Sequence, residues 1–160
     1  MAEQKESAGM SEEQRQFGAE EKIHRPVPIP VDVLQIIRDD SRNKRSLTTQ
    51  QSPDDMSALW FAASNISLND DGLADLIVQA IEPKLLGANV IPFWVLRRTP
   101  DRYELVLSTS SLGLKILETK SKGYRDLRTT KATAKEILTT TYEFNGRRYQ
   151  EQHSSEEQIN

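Results

Sequence analysis

Residues 67–78 (SLNDDGLADLIV) gather carboxylates and an amide at alternating positions around a glycine. Such a loop can aim several oxygens at one hard cation. Calcium, which accepts many oxygens in flexible geometry, suits a loop this short. The same residue types also build a tight Asx-type turn, in which short polar side chains bond to their own backbone. Both readings stand on the residues alone.

A second group is Lys122-Gly123-Tyr124-Arg125-Asp126, at the tip of an expected hairpin. Tyrosine and arginine are enriched where proteins bind one another, so Tyr124 and Arg125 are candidate partner-binding residues. The competing arrangement packs Tyr124 on the edge of the core and pairs Arg125 with Asp126 or solvent. Arg97-Arg98 and Arg147-Arg148, with Lys115, Lys120, Lys131 and Lys135, supply the charge of a polyanion patch. Strand alternation sends neighbouring arginines to opposite faces, and no nucleic-acid-binding signature is present, so nucleic acid is disfavoured as a partner.

Catalytic machinery is sparse. The two histidines, His24 and His153, both fall in segments expected to flank the fold. No GxSxG elbow, SxxK signature or glycine-rich phosphate cradle occurs. Carboxylates such as Glu104, Glu118 and Asp126 lie on different expected strands, and spacing alone does not bring them together. With no cysteine, thiolate chemistry, disulfides and cysteine metal sites are excluded. The chain reads as a binding protein and not an enzyme.

The elements that must position these residues follow from patterning. A chain of 160 residues, 36% hydrophobic and 28% charged, is enough for one domain with a modest core. No apolar run is long enough to span a membrane. Residues 1–24 are too polar to offset their ordering entropy and are expected to be disordered, as is the tail 150–160 (QEQHSSEEQIN). Residues 25–57 form a proline-rich extended piece, a short helix over 31–39 carrying Val31, Leu34 and Ile37, and a polar connector.

From residue 58 the pattern changes to period two. Seven short strands are expected, near 60–66, 75–81, 91–98, 103–107, 112–118, 124–130 and 136–144. Thr99-Pro100-Asp101-Arg102 marks a turn and Asn145-Gly146 a hairpin. The expected fold is all-β: a mainly antiparallel meander over 58–149, curled into a sandwich or half-barrel, with one short N-terminal helix. Its core candidates are Phe93/Val95, Leu105/Leu107, Leu114/Ile116 and Leu138/Tyr142. Charge is uneven along it: residues 1–89 carry 9 basic and 15 acidic side chains, residues 90–150 carry 12 and 6. The basic half offers a surface to an acidic partner, or the two halves neutralise each other.

The segment 67–78 resembles the DxNxDGxxD loop of FG-GAP and related β-propeller repeats, which likewise runs straight into an apolar strand. By that resemblance Asn69, Asp71 and Asp75 fall on calcium-ligand positions, and Ser67 stands where the family has its first aspartate. From Trp60 to Tyr149, the pieces WFAAS, NDDGLADLIV, GANVIPFWVLRRT, YELVLST, KGYRDLRT and YEFNGRRY are similar to a group of secreted bacterial β-proteins akin to periplasmic lysozyme inhibitors and cell-wall-hydrolase immunity proteins. This likeness implies a periplasmic or secreted protein that neutralises a protein partner, a peptidoglycan hydrolase, by blocking its cleft. The opening MAEQKESAGMSEEQRQF carries no signal-peptide pattern, which leaves a removed signal open. The alternative is a calcium-stabilised accessory binding module without inhibitory activity.

Overall fold

The computed structural model describes residues 15–18, 26–44, 56–86 and 90–158. Among the described residues, ten strands and one α-helix are arranged in three layers. The first sheet is ordered β1 (Gln16–Gly18), β7 (Gly113–Ser121), β8 (Tyr124–Ala132), β9 (Glu136–Phe144) and β10 (Tyr149–Gln158). The second is ordered β2 (Pro26–Val27), β3 (Phe61–Ile66), β4 (Asp75–Ala80), β5 (Ile91–Arg98) and β6 (Tyr103–Ser111). Every strand pairing is antiparallel. The helix α1 (Val31–Lys44) covers the second sheet's outer face. The all-β sandwich with one helix expected from the sequence is the fold.

The two apolar layers explain why β4 and β5 are almost continuously apolar. Ile77, Phe93 and Val95 point between the sheets, with Leu114, Ile116, Leu127 and Phe144 opposite. Leu76, Val78, Trp94 and Leu96 alternate with them and pack under the helix, against Val33 and Ile37. A strand buried on both faces has no polar side to show. Pro92 lies where the ladder to β4 has already stopped, at Phe93, so on that side no strand needs its missing N–H, while pairing to β6 continues to Ile91.

Between β6 and β7 the chain changes sheets across a single residue. β6 ends at Ser111, Leu112 turns the corner, and β7 begins at Gly113. β1 passes so near this corner that a Cβ on Gly18 would lie 2.8 Å from the Leu112 carbonyl oxygen. Only glycine allows that approach.

Several boundaries differ from the patterning. The helix runs to Lys44, not to 39, and its later sheet-facing positions are polar, which hid them from an apolar pattern: half-buried Asp40 accepts hydrogen bonds from Trp94 Nε1 (3.0 Å) and Ser108 Oγ (2.6 Å). Val31, placed on the expected apolar stripe, is 86% exposed in the first turn, and the stripe runs instead through Val33 and Ile37. Trp60 belongs to a single 3-10 turn (Ala58–Trp60) capped by Ser57, and β3 starts one residue later. Leu105, Leu138 and Tyr142 are only partly buried, whereas the other core candidates are buried.

The largest correction concerns the ends. Of residues 1–24, read as disordered, 15–18 are described, and Gln16–Gly18 form β1 against β7; the remainder, and residues 45–55 of the polar connector, lie outside the described residues. The tail read as disordered forms β10, paired to β9 from Tyr149↔Phe144 to Gln158↔Glu136. Its side chains past Tyr149 are exposed, so no apolar alternation announced it. The backbone ladder, which is blind to side-chain type, holds it in place.

Candidate functional site

The meander brings four hairpin turns to one end of the sandwich: residues 67–74, 99–102, 122–123 and 145–148. Their local chemistry is that of turns. Thr99 Oγ1 accepts from the N–H groups of Asp101 and Arg102, and Thr99 N donates to Arg102 O at 2.8 Å. Asn145 Oδ1 accepts from the N–H groups of Arg147 and Arg148 across the expected Asn-Gly turn, where Gly146 has φ 103°. Gly123 (φ 84°) follows Lys122 (φ 50°) at the tip of β7–β8.

The acidic loop 67–74 is bolted to the opposite sheet by Arg125. Its Nη1 and Nη2 reach the two oxygens of Asp70 at 2.9 and 3.0 Å, and Nη1 also donates to Ser67 O at 3.0 Å. Arg125 N donates to Leu68 O at 2.8 Å, so backbone and side chain stitch the sheets together at one residue. Lys120 Nζ (3.0 Å) and Ser67 Oγ (2.9 Å) add to the hold on Asp70. The guanidinium of Arg125, ahead of the other partners, holds the Asp70 carboxyl well below the usual carboxylate range. Asp70 sits at φ 57°, a left-handed position that aspartate tolerates in turns.

Arg125, expected to face a partner, is therefore an internal anchor, only 6% exposed and bound to Asp70 rather than to Asp126. Asp126 is engaged separately by Thr119 Oγ1 (2.6 Å) and Ser121 Oγ (2.8 Å). Tyr124 is half-buried and stacks on Phe144 with ring centroids 4.0 Å apart, and its hydroxyl accepts from Arg97 Nη1 at 3.4 Å. Phe144 in turn meets Tyr149 edge-on, and the Tyr149 hydroxyl donates to Arg125 O at 2.6 Å. Arg97 lies over Phe144, 5.5 Å from its centroid, and pairs with Glu104 at 2.7 Å.

The residues aligned with calcium positions are drawn into one loop but not onto one point. Asp75 is buried, and each of its oxygens accepts a backbone N–H: Oδ2 from Leu68 (2.9 Å) and Oδ1 from Arg98 (2.8 Å). Burial raises its pKa despite those two donors. Asp71 Oδ1 accepts from Leu73 N at 2.9 Å in an Asx turn, and its Oδ2 accepts from Asn69 Nδ2 at 3.2 Å. Ser67, at the first ligand position, is taken up with Asp70 and Arg125. Among the described residues no group of three or more histidine, aspartate or glutamate side chains converges as a metal cluster. One atom stands out: Asn69 Oδ1 is buried without a hydrogen-bond donor.

Cations at this end fall into two sets. Arg97 and Arg102 share Glu104, Lys120 and Arg125 share Asp70, and Arg98 lies 4.7 Å from the centroid of the Tyr103 ring. Lys122, Arg147 and Arg148 are exposed and have no ion pair among the described residues. They belong to adjoining turns: a Cβ on Gly146 would lie 3.8 Å from Lys122 Cδ. Patterning named Arg147-Arg148 as one of two basic pairs and Lys122 as part of the hairpin tip, but that the three adjoin depends on how the two turns land.

Fold and site together define a two-sheet antiparallel sandwich backed by a helix, with a basic hairpin end. Comparison with protein-family models, with curated proteins and with solved structures returns no match.

Proposed function

We propose that this is a binding protein that engages an acidic surface of a partner protein with its four-hairpin end. The observation that carries this reading is the set Lys122, Arg147 and Arg148, three exposed cations on adjoining turns with no ion pair among the described residues, while the neighbouring Arg97, Lys120 and Arg125 are paired. A fixed framework with projecting loops is the usual way a sandwich presents a recognition surface. Unpaired rim charge accelerates encounter with a complementary partner and rejects basic ones. Tyr124 contributes by fixing the turn on Phe144, and Arg125 by fixing it to the acidic loop.

In the finer form of the proposal the protein works in the periplasm or outside the cell and neutralises a peptidoglycan hydrolase, its tips closing the enzyme's acidic cleft. No catalytic step is assigned to the chain. The test is suppression of peptidoglycan lysis by an envelope extract, titrated with wild type and with Lys122→Glu/Arg147→Glu/Arg148→Glu.

A second reading rests on Asn69 Oδ1, a buried acceptor with no donor beside the Asp71 carboxylate. Calcium held there, with Asp71 and Asp75 as the other ligands, would make the protein a calcium-stabilised accessory module. Asp75 would have to serve the ion with oxygens that already accept backbone N–H groups, so this is the weaker of the two. A melting temperature raised by millimolar calcium in wild type but not in Asp71→Ala would favour it. An unchanged one would remove it.

A further inference from the structure

The end strand β10 presents a long open edge. It lies last in its sheet, paired to β9 on one side and to nothing on the other among the described residues. It spans ten residues without proline or glycine, and every side chain after Tyr149 is exposed. Its outer row of N–H and C=O groups is thus a template for one more strand. A single irregularity in the ladder, between Glu151 and His153, leaves the stretch from His153 to Gln158 in regular register.

Side chains select what can add there. β10 carries Glu151, Glu156 and Glu157 and no lysine or arginine. A second copy paired antiparallel over the full strand would set Glu151 opposite Glu156 twice, and like charges directly opposed are destabilising. Glu156 and Glu157 are consecutive, so they project from opposite faces of the sheet, next to Leu138 and Ile137 of β9. An incoming strand that satisfies both needs two consecutive cations, one for each face, flanked by β-branched residues that extend the half-buried surface of Ile137 and Leu138.

We infer that β10 accepts an extended segment of a partner protein bearing a Lys-Arg pair, which adds as a further strand of the first sheet. Main-chain hydrogen bonds supply the affinity of such an addition, and side chains at alternate positions the choice of partner. This edge carries acidic charge and the hairpin end basic charge, so the two surfaces call for different segments. Neither depends on the other.

The test uses two synthetic peptides of sequence SVTVKRTVSV and SVTVEETVSV, with fluorescence anisotropy for affinity and amide hydrogen exchange for location. The Lys-Arg peptide is expected to bind at least ten-fold more tightly than the Glu-Glu peptide and to slow exchange at alternate β10 amides. In Glu156→Lys/Glu157→Lys, with an unchanged far-ultraviolet circular dichroism spectrum, the preference should invert. Equal affinity for both peptides, no slowing within β10, or an uninverted preference would overturn the inference. The wild-type exchange measurement decides the matter even if the variant fails to fold.

Discussion

Arg125 on β8 of the first sheet and Asp70 in the β3–β4 loop of the second lie 55 positions apart in sequence, yet they meet through two parallel hydrogen bonds of 2.9 and 3.0 Å. The guanidinium is almost wholly buried while the carboxylate is 39% exposed on its outer side. The pair therefore closes the hairpin end and fixes the acidic loop on the β7–β8 turn.

Breaking the pair from the acidic side leaves a buried cation with weakened compensation. Asp70→Asn is expected to lower stability by about 2 kcal/mol, a value reduced from that of a fully buried pair because solvent reaches Asp70. Urea denaturation checks it. The pH dependence has a definite sign: a carboxyl held below its unfolded value of 3.8 contributes fully above that value and loses its contribution as pH falls through the folded pKa. Asp70→Asn should accordingly narrow its deficit relative to wild type only under strongly acidic conditions.

The alternation from residue 58 onward gave away the antiparallel sandwich, because burial between two sheets imposes period two on side chains such as Leu114 and Ile116. The turns at Thr99 and Asn145 were equally readable, since their chemistry is local. Arg125 was not. A motif reading takes it as a recognition residue, and only the register that lays β8 beside the 67–74 loop reveals Asp70 as its partner. β10 was invisible for the converse reason: past Tyr149 its side chains are polar and exposed, and a strand held there by its backbone ladder and a few polar side-chain contacts shows no apolar alternation.

Asp75 makes a prediction of opposite sign. Its carboxyl is buried and its pKa raised, so the folded state holds a proton more readily than the unfolded chain. Its stabilising contribution is present at low pH and declines as pH rises from the unfolded value toward the folded one. Asp75→Asn should abolish that decline. It should also destabilise the protein by roughly 1–3 kcal/mol, because the amide turns a donor toward either Leu68 N or Arg98 N. Melts in urea across the acid range separate the two effects.

The strand β10 should matter little to stability beyond its first residue. Ending the chain after Gln150 removes exposed side chains and ladder bonds whose net worth is close to the entropy regained, a change of about 1 kcal/mol or less. Tyr149→Ala, by contrast, removes a buried ring against Phe144 and the hydroxyl bond to Arg125 O, and should cost about 3–5 kcal/mol. Chemical denaturation of both variants provides the comparison.

The helix is held partly by a polar contact that should be separable from its apolar stripe. Asp40→Ala strips the acceptor from Trp94 Nε1 and Ser108 Oγ beneath α1, with an expected loss of roughly 1–3 kcal/mol. Trp94 fluorescence should shift with it, because the indole N–H loses its partner. Stability can be read from the same samples by urea titration.

Binding through Lys122, Arg147 and Arg148, which have no ion pair among the described residues, is tested most directly by the lysis titration. Wild type is expected to suppress peptidoglycan lysis by an envelope extract, with Lys122→Glu/Arg147→Glu/Arg148→Glu needing at least ten times more protein for the same effect at an unchanged melting temperature. Wild type that leaves lysis untouched, or a variant that suppresses it equally well, would contradict the account.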